Sequence, residues 1–429
     1  MDEQPRADDT RADHPRAGDT RADQPRAGED RADEFRSGQD RTDEAAAGGP
    51  RPGEARPGEA LADALPAGAA RPGALRRPHP RLRLEDLARR LGVSRTTVSN
   101  AFSRPDQLSA DLRARVLDAA RQAGYAGPNP VARMLRTGRA GAIGLVLPEP
   151  LPFALDDPTT SELIRGIADA CEERRLGLLI EPGALRAGDP RVIGDVAVDG
   201  FIAYSLPRSA AALQRLLAGT TPLVVIDQPR LPDVATVTID DRAAAREAAR
   251  HLVGLGHRRF GIVALPLQAD GYDGPADAAR VANSDYDVTA QRLAGYREAL
   301  EEAGIDAAAV PVVECAHSDE ELGREAGRLL LGSTEAPTAI LAMSDRLALG
   351  VVAAAQDLRV PVPARLSVVG FDDVAAASRS RPALTTVRQP LRLKGYAAAR
   401  LLLDAPDRAA DGVDLPVELV VRRSSAAPR

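Results

Sequence analysis

The sequence predicts an N-terminal all-α helix-turn-helix domain followed by an α/β core of two lobes with parallel sheets. Three short amphipathic helices, with a glycine turn between the first two, are indicated over residues 81–126. From residue 141 onward, short continuous apolar runs alternate with helical stretches. Unalternated apolar strands separated by helices are typical of parallel sheets that are covered on both faces. About 290 residues exceed one comfortable hydrophobic core, so two α/β lobes are expected.

Composition excludes several classes of protein. The 429 residues are 44% hydrophobic and 28% charged, as in globular proteins, and no run reaches the roughly 18 apolar residues of a membrane helix. The acidic N-terminus is unlike a secretory signal. Two cysteines, Cys171 and Cys315, cannot build a disulfide framework. A cytoplasmic protein without membrane contact is therefore expected.

The sequence also lacks the usual signatures of metal and catalytic sites. Five histidines and two distant cysteines show no metal-ligand spacing. The single lysine, Lys394, lies outside any glycine-rich loop, which excludes a P-loop phosphate cradle. Asp372 and Asp373 could form an acid–base pair, but adjacent residues of a strand point to opposite faces. We therefore expect no metal, no cofactor and no catalytic residue.

Charge is distributed unevenly along the chain. Residues 81–139 contain 12 arginines against 5 acidic residues, a net charge of +7. The flanking segments are acidic, with a net charge of −4 over residues 1–80 and −9 over residues 140–429. A short basic segment between two acidic ones indicates a localised contact with a polyanion.

Residues 1–80 form a repetitive tail. RADHPRAGDT, RADQPRAGED and RADEFRSGQD repeat with a period near ten, and proline and glycine continue to the end of the segment. Because such a composition buries too little apolar area to offset its ordering entropy, we predict that the tail is disordered. A folded or partner-binding tail is the alternative.

The basic segment contains start and stop signals for three helices. Apolar residues at i, i+3, i+4 and i+7 from Leu84 form one face of a first helix, which Gly92 ends. Ser94 is a suitable N-cap for the second helix and Ser109 for the third, which Gly124 ends. Three short helices with a tight turn after the first predict a helix-turn-helix.

The second helix of such a motif enters the major groove, where its N-terminal residues contact base edges. Arg95 can donate two hydrogen bonds to guanine, Asn100 can pair with adenine, and Thr96 can contact a thymine methyl group. The side chains suited to phosphate contacts are Arg83, Ser94, Thr97, Ser99, Ser109 and Arg113. The alternative is a basic module that binds protein or merely faces solvent.

Eight apolar runs indicate the strands of the core. They cover residues 142–147, 176–180, 200–204, 223–226, 261–265, 310–313, 339–343 and 366–370. Ligands of open parallel sheets bind outside the carboxyl ends of the strands. Between two lobes, this position is the cleft.

Several motifs occur in the order of one protein family. LEDLARRLGVSRTTVSNAFSRPDQLSADLRARVLDAARQAGY precedes GPNPVARMLRTGRAGAIGLVLP, DGFIAYS, PLVVIDQP, RLAGYREALEEAGI, MSDRLALG, LSVVGFDD and LTTVRQP. Over residues 82–425 the chain resembles the LacI-type, lactose-repressor-like transcriptional regulators. The resemblance implies a DNA-binding domain (residues 81–126), a hinge (127–140) and a two-lobed effector-binding and dimerisation core (141–429) like the periplasmic sugar-binding proteins.

Three features depart from the family pattern. The tail of residues 1–80 is additional, and the hinge entry at residues 127–130 is one residue longer than usual. Residues 266–290, called the inserted segment below, are acidic and contain Gly271 and Gly274. We predict that the inserted segment lies on the surface of a lobe near the rim of the cleft.

The resemblance also assigns the hinge. Pro130 suits the first position of a helix of one to two turns, which is marginal alone and would be stabilised by two copies docking on DNA. By resemblance, Leu135 is the wedge that enters the minor groove, and Ala132 is the second hinge residue at that groove. The alternative is a plain linker with a buried leucine.

By motif position, the resemblance implies five polar cleft residues: Asp227, Arg292, Ser344, Asp345 and Asp372. Carboxylates and an arginine fork suit the vicinal hydroxyls of a sugar. The apolar faces of a sugar suit aromatic rings, and the candidates for stacking on them are Phe153, Tyr204 and Phe371. For each charged group the alternative is a salt bridge or a strand-end cap, and Asp345 can cap the helix that it opens.

A ligand-controlled transcription factor of the bacterial cytoplasm and nucleoid accounts for both halves of the chain. It is expected to bind operator DNA as a homodimer, because no heptad repeat follows the last strand, and to respond to a small effector, expected to be a carbohydrate. A pure sugar-binding protein would lack the helix-turn-helix, and an architectural DNA protein would not need a polar cleft. Repression is the expected sign, with activation left open.

Overall fold

The computed structural model describes residues 83–125, 130–183, 196–404 and 412–429. The tail of residues 1–80, which the sequence predicts to be disordered, lies outside the described residues. Within the described ranges, no helix combines the length and the apolar character that crossing a membrane requires.

The first described region is a bundle of three short helices. They are α1 (Leu84–Leu91), α2 (Arg95–Ser103) and α3 (Ala110–Gln122), with a 3-10 turn at Pro105–Gln107. Gly92 ends α1 in the left-handed region (φ 65°). The hydroxyl oxygens of Ser94 and Ser109 accept backbone hydrogen bonds at the starts of α2 and α3. Local sequence signals therefore set the bounds of these helices, and a fourth helix, α4 (Pro130–Thr137), follows.

The first lobe is built on a six-stranded sheet in which every pairing is parallel. In sheet order its strands are β12 (Val413–Leu415), β5 (Ala235–Ile239), β4 (Leu223–Ile226), β3 (Phe201–Tyr204), β1 (Ala142–Leu147) and β2 (Gly177–Pro182). Its helices are α5 (Leu151–Asp156), α6 (Pro158–Arg174), α7 (Ala211–Ala218) and α14 (Leu391–Asp404).

The second lobe is built on a seven-stranded sheet that is parallel except at its two edges. In sheet order its strands are β13 (Glu418–Val420), β11 (Thr385–Arg388), β10 (Ser367–Asp372), β9 (Ala339–Ala342), β6 (Phe260–Ala264), β8 (Val312–Glu314) and β7 (Gly274–Pro275). Its helices are α8 (Asp241–Gly254), α9 (Ala278–Ala282), α10 (Asp287–Glu302), α11 (Glu320–Leu331), α12 (Asp345–Asp357) and α13 (Ala375–Arg379), with a 3-10 turn at Ala307–Ala309.

The predicted fold class is confirmed: each of the eight predicted apolar runs overlaps a strand, and the predicted last strand, VELVVRRSS, contains β13. The prediction missed β5, β7, β11 and β12. The sequences of β5 (ATVTI) and β11 (TTVR) contain threonines, and β7 and β12 are two- and three-residue edge strands. Such strands carry too little continuous apolar sequence to be recognised, and the sheet recruits them by pairing with a neighbour.

The chain passes between the lobes three times within the described residues: after β5, after β11 and after β12. Two of these crossovers contain polar residues. Asp241 begins α8 directly after the first crossover, and Gln389 lies in the second, just before α14. Helices α8 and α10 pack closely at Gly295, where an added Cβ would lie 2.1 Å from the carbonyl oxygen of Arg242. This close packing brings Asp241 of α8 and Arg292 of α10 together.

Candidate effector cavity and DNA-binding face

A cavity lies between the two lobes, where the carboxyl ends of their strands meet. It has about 920 Å³ of empty volume, which includes the open solvent at its mouth. The polar part of its wall comes from both lobes and consists of Glu149, Asp157, Thr159, Thr160, Tyr204, Ser205, Asp227, Gln228, Tyr286, Thr289, Arg292, His317, Ser318, Ser344, Asp372 and Gln389. Five of the eight predicted effector residues, Tyr204, Asp227, Arg292, Ser344 and Asp372, are thus brought to one cavity.

Three strand ends at the cavity have unusual backbone conformations. Ser205 after β3, Asp227 after β4 and Asp372 at the end of β10 have φ angles of 48°, 67° and 113°. Non-glycine residues rarely adopt positive φ, and such conformations persist where surrounding structure determines them. They are clustered here at the residues that line the cavity.

Arg292 is a structural centre of the cavity wall as well as a predicted contact. Its Nε donates to Oδ1 of Asp241 at 2.8 Å, and its Nη1 donates to the carbonyl oxygen of Met343 at 2.5 Å. The guanidinium carbon lies 3.6 Å from the centre of the Phe371 ring. Burial lowers the pKa of Arg292, but the carboxylates of Asp241 and Asp372 outweigh burial and raise it overall. Arg292 is therefore a buried cation paired with Asp241.

A second buried network joins the lobes at the wall of the cavity. Nζ of Lys394, which is 1% exposed, donates to Oδ1 of Asp227 and to Oε1 of Gln389, both at 2.6 Å. Nε2 of Gln389 donates in turn to Oδ1 of Asp372 at 2.6 Å. Burial raises the pKa of Asp372 to about 7, although Arg292 and the Gln389 hydrogen bond oppose the shift. The network fixes two predicted effector carboxylates through a chain of long-range contacts.

Sequence reasoning missed Asp241, Gln389 and Lys394. Gln389 and Asp241 each follow a strand that the apolar pattern did not reveal, so their position at strand ends was hidden. The sequence does mark Lys394, because it is the one lysine in a chain that otherwise uses arginine. Since arginine cannot supply a compact point charge, a lone lysine indicates a special site.

Three predicted effector residues do not line the cavity. Both carboxylate oxygens of Asp345 accept hydrogen bonds, Oδ2 from the backbone N of Val374 at 2.8 Å and Oδ1 from Oγ1 of Thr386 at 2.6 Å. Asp345 therefore holds the loop after β10, and Ser344, not Asp345, caps α12 through the backbone N of Leu347. A direct effector contact from Asp345 has no geometric support.

The two aromatic residues outside the lining have different positions. Phe371 is fully buried beneath the guanidinium of Arg292, so it supports that side chain and does not face the cavity. Phe153 packs at the rim, with its ring centre 5.2 Å from that of His317 and 5.4 Å from the guanidinium carbon of Arg346. Tyr204 is the predicted stacking residue that does line the cavity.

Near the cavity, two buried polar atoms of the described residues have no hydrogen-bond partner: Oδ1 of Asp157 and Nη1 of Arg346. They belong to opposite lobes and lie 3.9 Å apart. Oδ2 of Asp157 caps α6 by accepting from the backbone N of Thr160 at 2.9 Å, and Nη2 of Arg346 donates to Asp319 at 3.0 Å. A hydroxyl group can donate to the first atom and accept from the second.

The predicted base-reading side chains lie on one exposed helix. Arg95 is 71% exposed, and its Nη1 lies 2.9 Å from Oε1 of Glu85 in α1. Thr96 is exposed. Nδ2 of Asn100 donates to Oε1 of Gln107 at 3.0 Å. The partners of Arg95 and Asn100 are surface side chains of the same module, which DNA can replace.

The predicted phosphate contacts fall into two groups. Ser94 and Ser109 accept from the backbone as helix caps, and the hydroxyls of Ser94 and Thr97 lie 2.8 Å apart. Arg113 donates through Nε to the carbonyl oxygen of Ala101 at 3.3 Å, which orients an otherwise exposed guanidinium. Arg83 is exposed, and Ser99 is half-buried.

The hinge helix α4 presents Leu135 to solvent, with 79% of the residue exposed. The alternative of a linker with a buried leucine therefore does not describe this residue. The side chain of Ala132 lies outside the described part of the structure.

The part of the chain that the structure describes contains no cluster of three or more histidine, cysteine, aspartate or glutamate side chains arranged to hold a metal ion. Cys171 and Cys315 are both buried as free thiols. Burial raises the pKa of Cys315 to about 12, so its reactive thiolate is suppressed.

The chain is similar to known proteins in sequence and in fold. Residues 83–129 match the family of bacterial regulatory proteins called the lacI family, and residues 249–425 match a periplasmic binding protein-like domain. An HTH-type transcriptional regulator of Mycobacterium tuberculosis is 43% identical over 358 residues, which cover 82% of this chain and 99% of that protein.

Two solved structures share the fold. A LacI-family transcriptional regulator from Corynebacterium glutamicum has a TM-score of 0.60 and 32% identity, covering 80% of this chain and 98% of that one. The complex of the transcriptional regulator CelR with cellobiose has a TM-score of 0.57 and 28% identity, covering 80% of this chain and 100% of that one.

Proposed function

The chain belongs to the LacI family of bacterial transcriptional regulators, and on that premise we propose that it binds a palindromic operator as a homodimer under the control of a small polyhydroxylated effector. The proposal assigns residues 81–126 to DNA binding, residues 127–140 to the hinge, and residues 141–429 to effector binding and dimerisation. It places the protein in the bacterial cytoplasm, on the nucleoid, and it takes repression as the default sign.

The observation that carries the effector proposal is the chemistry of the cavity wall. Glu149, Asp157, Asp227 and Asp372 contribute carboxylates to it, and carboxylates accept hydrogen bonds from hydroxyl groups. The cations Arg292 and Lys394 are each already paired with a carboxylate. A phosphate or carboxylate ligand would meet this excess of negative charge, so the wall favours a neutral polyol of the carbohydrate class. The cellobiose bound by CelR is of the same class.

The DNA-binding part of the proposal rests on three residues of α2: Arg95 and Thr96, which are exposed, and Asn100, which is half-buried. One such helix from each subunit can occupy two half-sites about one helical turn apart, which requires an operator with dyad symmetry. Leu135 and Ala132 of the two hinge helices would then lie at the minor groove in the centre, where an easily unstacked pyrimidine–purine step is favoured.

Control follows from the position of the cavity between two lobes. A ligand that contacts both walls stabilises the closed arrangement, and the first lobe directly follows the hinge. A change in the separation of the two first lobes alters whether both Leu135 side chains can dock together. Such coupling is typically about 1–3 kcal/mol and is reciprocal, so operator DNA must change effector affinity by the same factor.

Selection of bound duplexes from a random pool tests the DNA part. The wild type should select a site with dyad symmetry, and Arg95→Ala should relax the preference at one base pair of each half-site. Arg121→Ala is the matched control, because Arg121 is an equally exposed arginine that is paired within the same module, on α3. A selected site without dyad symmetry would contradict the dimeric proposal.

Titration of operator complexes with neutral sugars and polyols, each beside its phosphate ester, tests the effector part. The neutral members should change operator affinity and the esters should not. Asp157→Asn should weaken the response and Asp319→Asn should preserve it: both residues are helix N-caps facing Arg346, but only Asp157 lines the cavity. A response confined to the phosphate esters would contradict the proposed ligand class.

A further inference from the structure

The inserted segment has more structure than a surface loop. It leaves the second lobe after β6, forms β7 at the edge of the sheet and α9, and ends in the first turn of α10. Its residues Pro266, Tyr286, Val288 and Thr289 line the cavity. The predicted position near the rim understates this role, because the segment is part of the wall.

A buried ion pair anchors the inserted segment to its own lobe. Glu314 of β8 is 1% exposed, and its Oε2 accepts from Nε of Arg280 at 2.8 Å. Its Oε1 accepts from the backbone N of Leu267 at 2.7 Å. Arg280 also donates through Nη1 to Oδ2 of Asp270 at 2.9 Å. These contacts fix the two halves of the segment against β8.

The far end of the inserted segment bonds the opposite lobe. Nη2 of Arg208, in the loop after β3, donates to both carboxylate oxygens of Asp287, at 2.6 and 2.7 Å. The backbone N of Arg208 donates to the carbonyl oxygen of Asp285 at 3.1 Å, and Ser209 donates from its backbone N and its hydroxyl to the Asp285 carboxylate. These bonds join the two lobes directly, without a contribution from a ligand.

Tyr286 lies between the two residues that make these interlobe bonds. The next residue but one, Val288, is held as well, because its backbone N donates to Oε1 of the buried Gln228 at 2.7 Å. Tyr286 is therefore fixed from both sides while its side chain lines the cavity. Burial raises the pKa of the Tyr286 phenol to about 12, so it stays a neutral hydrogen-bonding group.

We propose that the inserted segment is a strap that ties the two lobes together and sets Tyr286 as a specificity-determining wall of the effector cavity. Opening of the cleft must break the bonds of Arg208 and Ser209 to Asp285 and Asp287. The strap thus stabilises the closed arrangement independently of the ligand, and a ligand needs correspondingly less differential affinity to populate it. The role of Tyr286 toward a ligand rests on the proposed function; the strap itself does not.

Hydrogen–deuterium exchange of the full chain, analysed by mass spectrometry, tests the strap without effector or operator. Arg208→Ala removes an exposed ion pair between the lobes. Arg242→Ala is the matched control, because Arg242 pairs with Glu298 inside the second lobe at nearly equal exposure, 53% and 30% against 55% and 28% for Arg208 and Asp287. Both variants should fold, since each loses one surface ion pair.

Arg208→Ala should speed amide exchange in peptides covering residues 205–210 and 284–290 by about two- to fivefold, the range for an exposed ion pair. Nitration of Tyr286 should rise by a similar factor, while the core residue Tyr296 stays protected. Arg242→Ala should change neither readout. Equal effects of the two variants, or no change at residues 284–290 in Arg208→Ala, would overturn the strap. A chain that passes this test but binds no polyol would contradict the effector proposal alone.

Discussion

The DNA-binding face and the effector cavity both depend on polar side chains, but they hold these side chains in opposite ways. Arg95 on the DNA-binding face is 71% exposed and touches one surface carboxylate. Arg292 in the cavity wall is 5% exposed as a side chain, pairs with a buried carboxylate, and lies over a buried aromatic ring. The same residue type is thus a solvated recognition group in one region and a component of the folded core in the other.

The difference follows from the partners that the two regions are proposed to bind. DNA supplies its own dense negative charge and groove edges, so the protein face can stay solvated until it binds. A small ligand buries its polar groups, so the cavity must hold its hydrogen-bonding groups in place beforehand. Substitutions should therefore separate binding from stability on the DNA-binding face, and they should not separate them in the cavity.

The largest effect is expected at Arg292. Arg292→Ala leaves Asp241 buried without its cation, which should lower the free energy of unfolding by about 3–5 kcal/mol. Urea unfolding followed by circular dichroism measures this loss, with Arg242→Ala, expected to cost below about 1 kcal/mol, as the control. If Arg292→Ala is as stable as the control, Arg292 is not part of the folded core, and the cavity does not differ from the DNA-binding face in this respect. The variant also reports on stability and effector binding together, so it cannot test the effector site by itself.

The next largest effect is expected to be a pH dependence of the free energy of unfolding, caused by Asp372. Its pKa is raised to about 7 in the folded protein, against about 3.9 in an unfolded chain. The folded state therefore holds more protons than the unfolded state between pH 4 and 7, and this group makes stability fall as pH rises through that window. Asp372→Asn should match the wild type near pH 4 and exceed it above pH 7, by an amount on the order of 4 kcal/mol at most.

Urea unfolding at a series of pH values measures the difference between Asp372→Asn and the wild type. The neighbouring carboxylate Asp373, which is paired with Arg388 and Arg422, provides the control: Asp373→Asn should destabilise the protein at neutral pH. A stability difference between Asp372→Asn and the wild type that does not change between pH 4 and 7 would show that burial does not raise the pKa of the Asp372 carboxyl group.

An intermediate effect is expected at Arg95, and on binding alone. Arg95→Ala should cost about 1–3 kcal/mol of discrimination at one base pair of each half-site. Its free energy of unfolding should change by less than about 0.5 kcal/mol, since the side chain is exposed. Binding to the selected operator and to single-base variants, measured beside urea unfolding, gives both numbers. A large loss of stability would mean that the DNA-binding face is built like the cavity after all.

The smallest effect is expected at Glu85, the partner of Arg95. Glu85→Gln should change stability by less than about 1 kcal/mol, because exposed ion pairs contribute little. It should also raise affinity for all duplexes modestly, because it removes a negative charge beside the proposed phosphate contacts. Asp118→Asn, which removes the exposed partner of Arg121 on α3, is the control. Fluorescence anisotropy with operator and unrelated duplexes compares them, and an effect confined to the operator would contradict the electrostatic explanation.

The sequence by itself determined the helices of the DNA-binding module and the class of the core. Ser94, Ser109 and Gly92 act within one turn of their own helices, and the apolar runs of the central strands report burial on both faces directly. The motifs that carry the family resemblance also identified four residues that line the cavity: Asp227, Arg292, Ser344 and Asp372. Signals of this kind depend on residues that are close together in the chain, so they can be recognised from the sequence alone.

Only the tertiary structure decided which polar groups meet. Lys394 and Asp227 are 167 positions apart, and Arg292 and Asp241 are 51 apart. Their pairing depends on the strand order and on the crossovers between the lobes. The same holds for Asp345, which the sequence placed at a ligand and the fold uses to hold a loop, and for the inserted segment, whose bonds to Arg208 span 79 positions. No local propensity encodes such contacts, because a buried charge finds its partner only where the packed sheets and helices bring one within hydrogen-bonding distance.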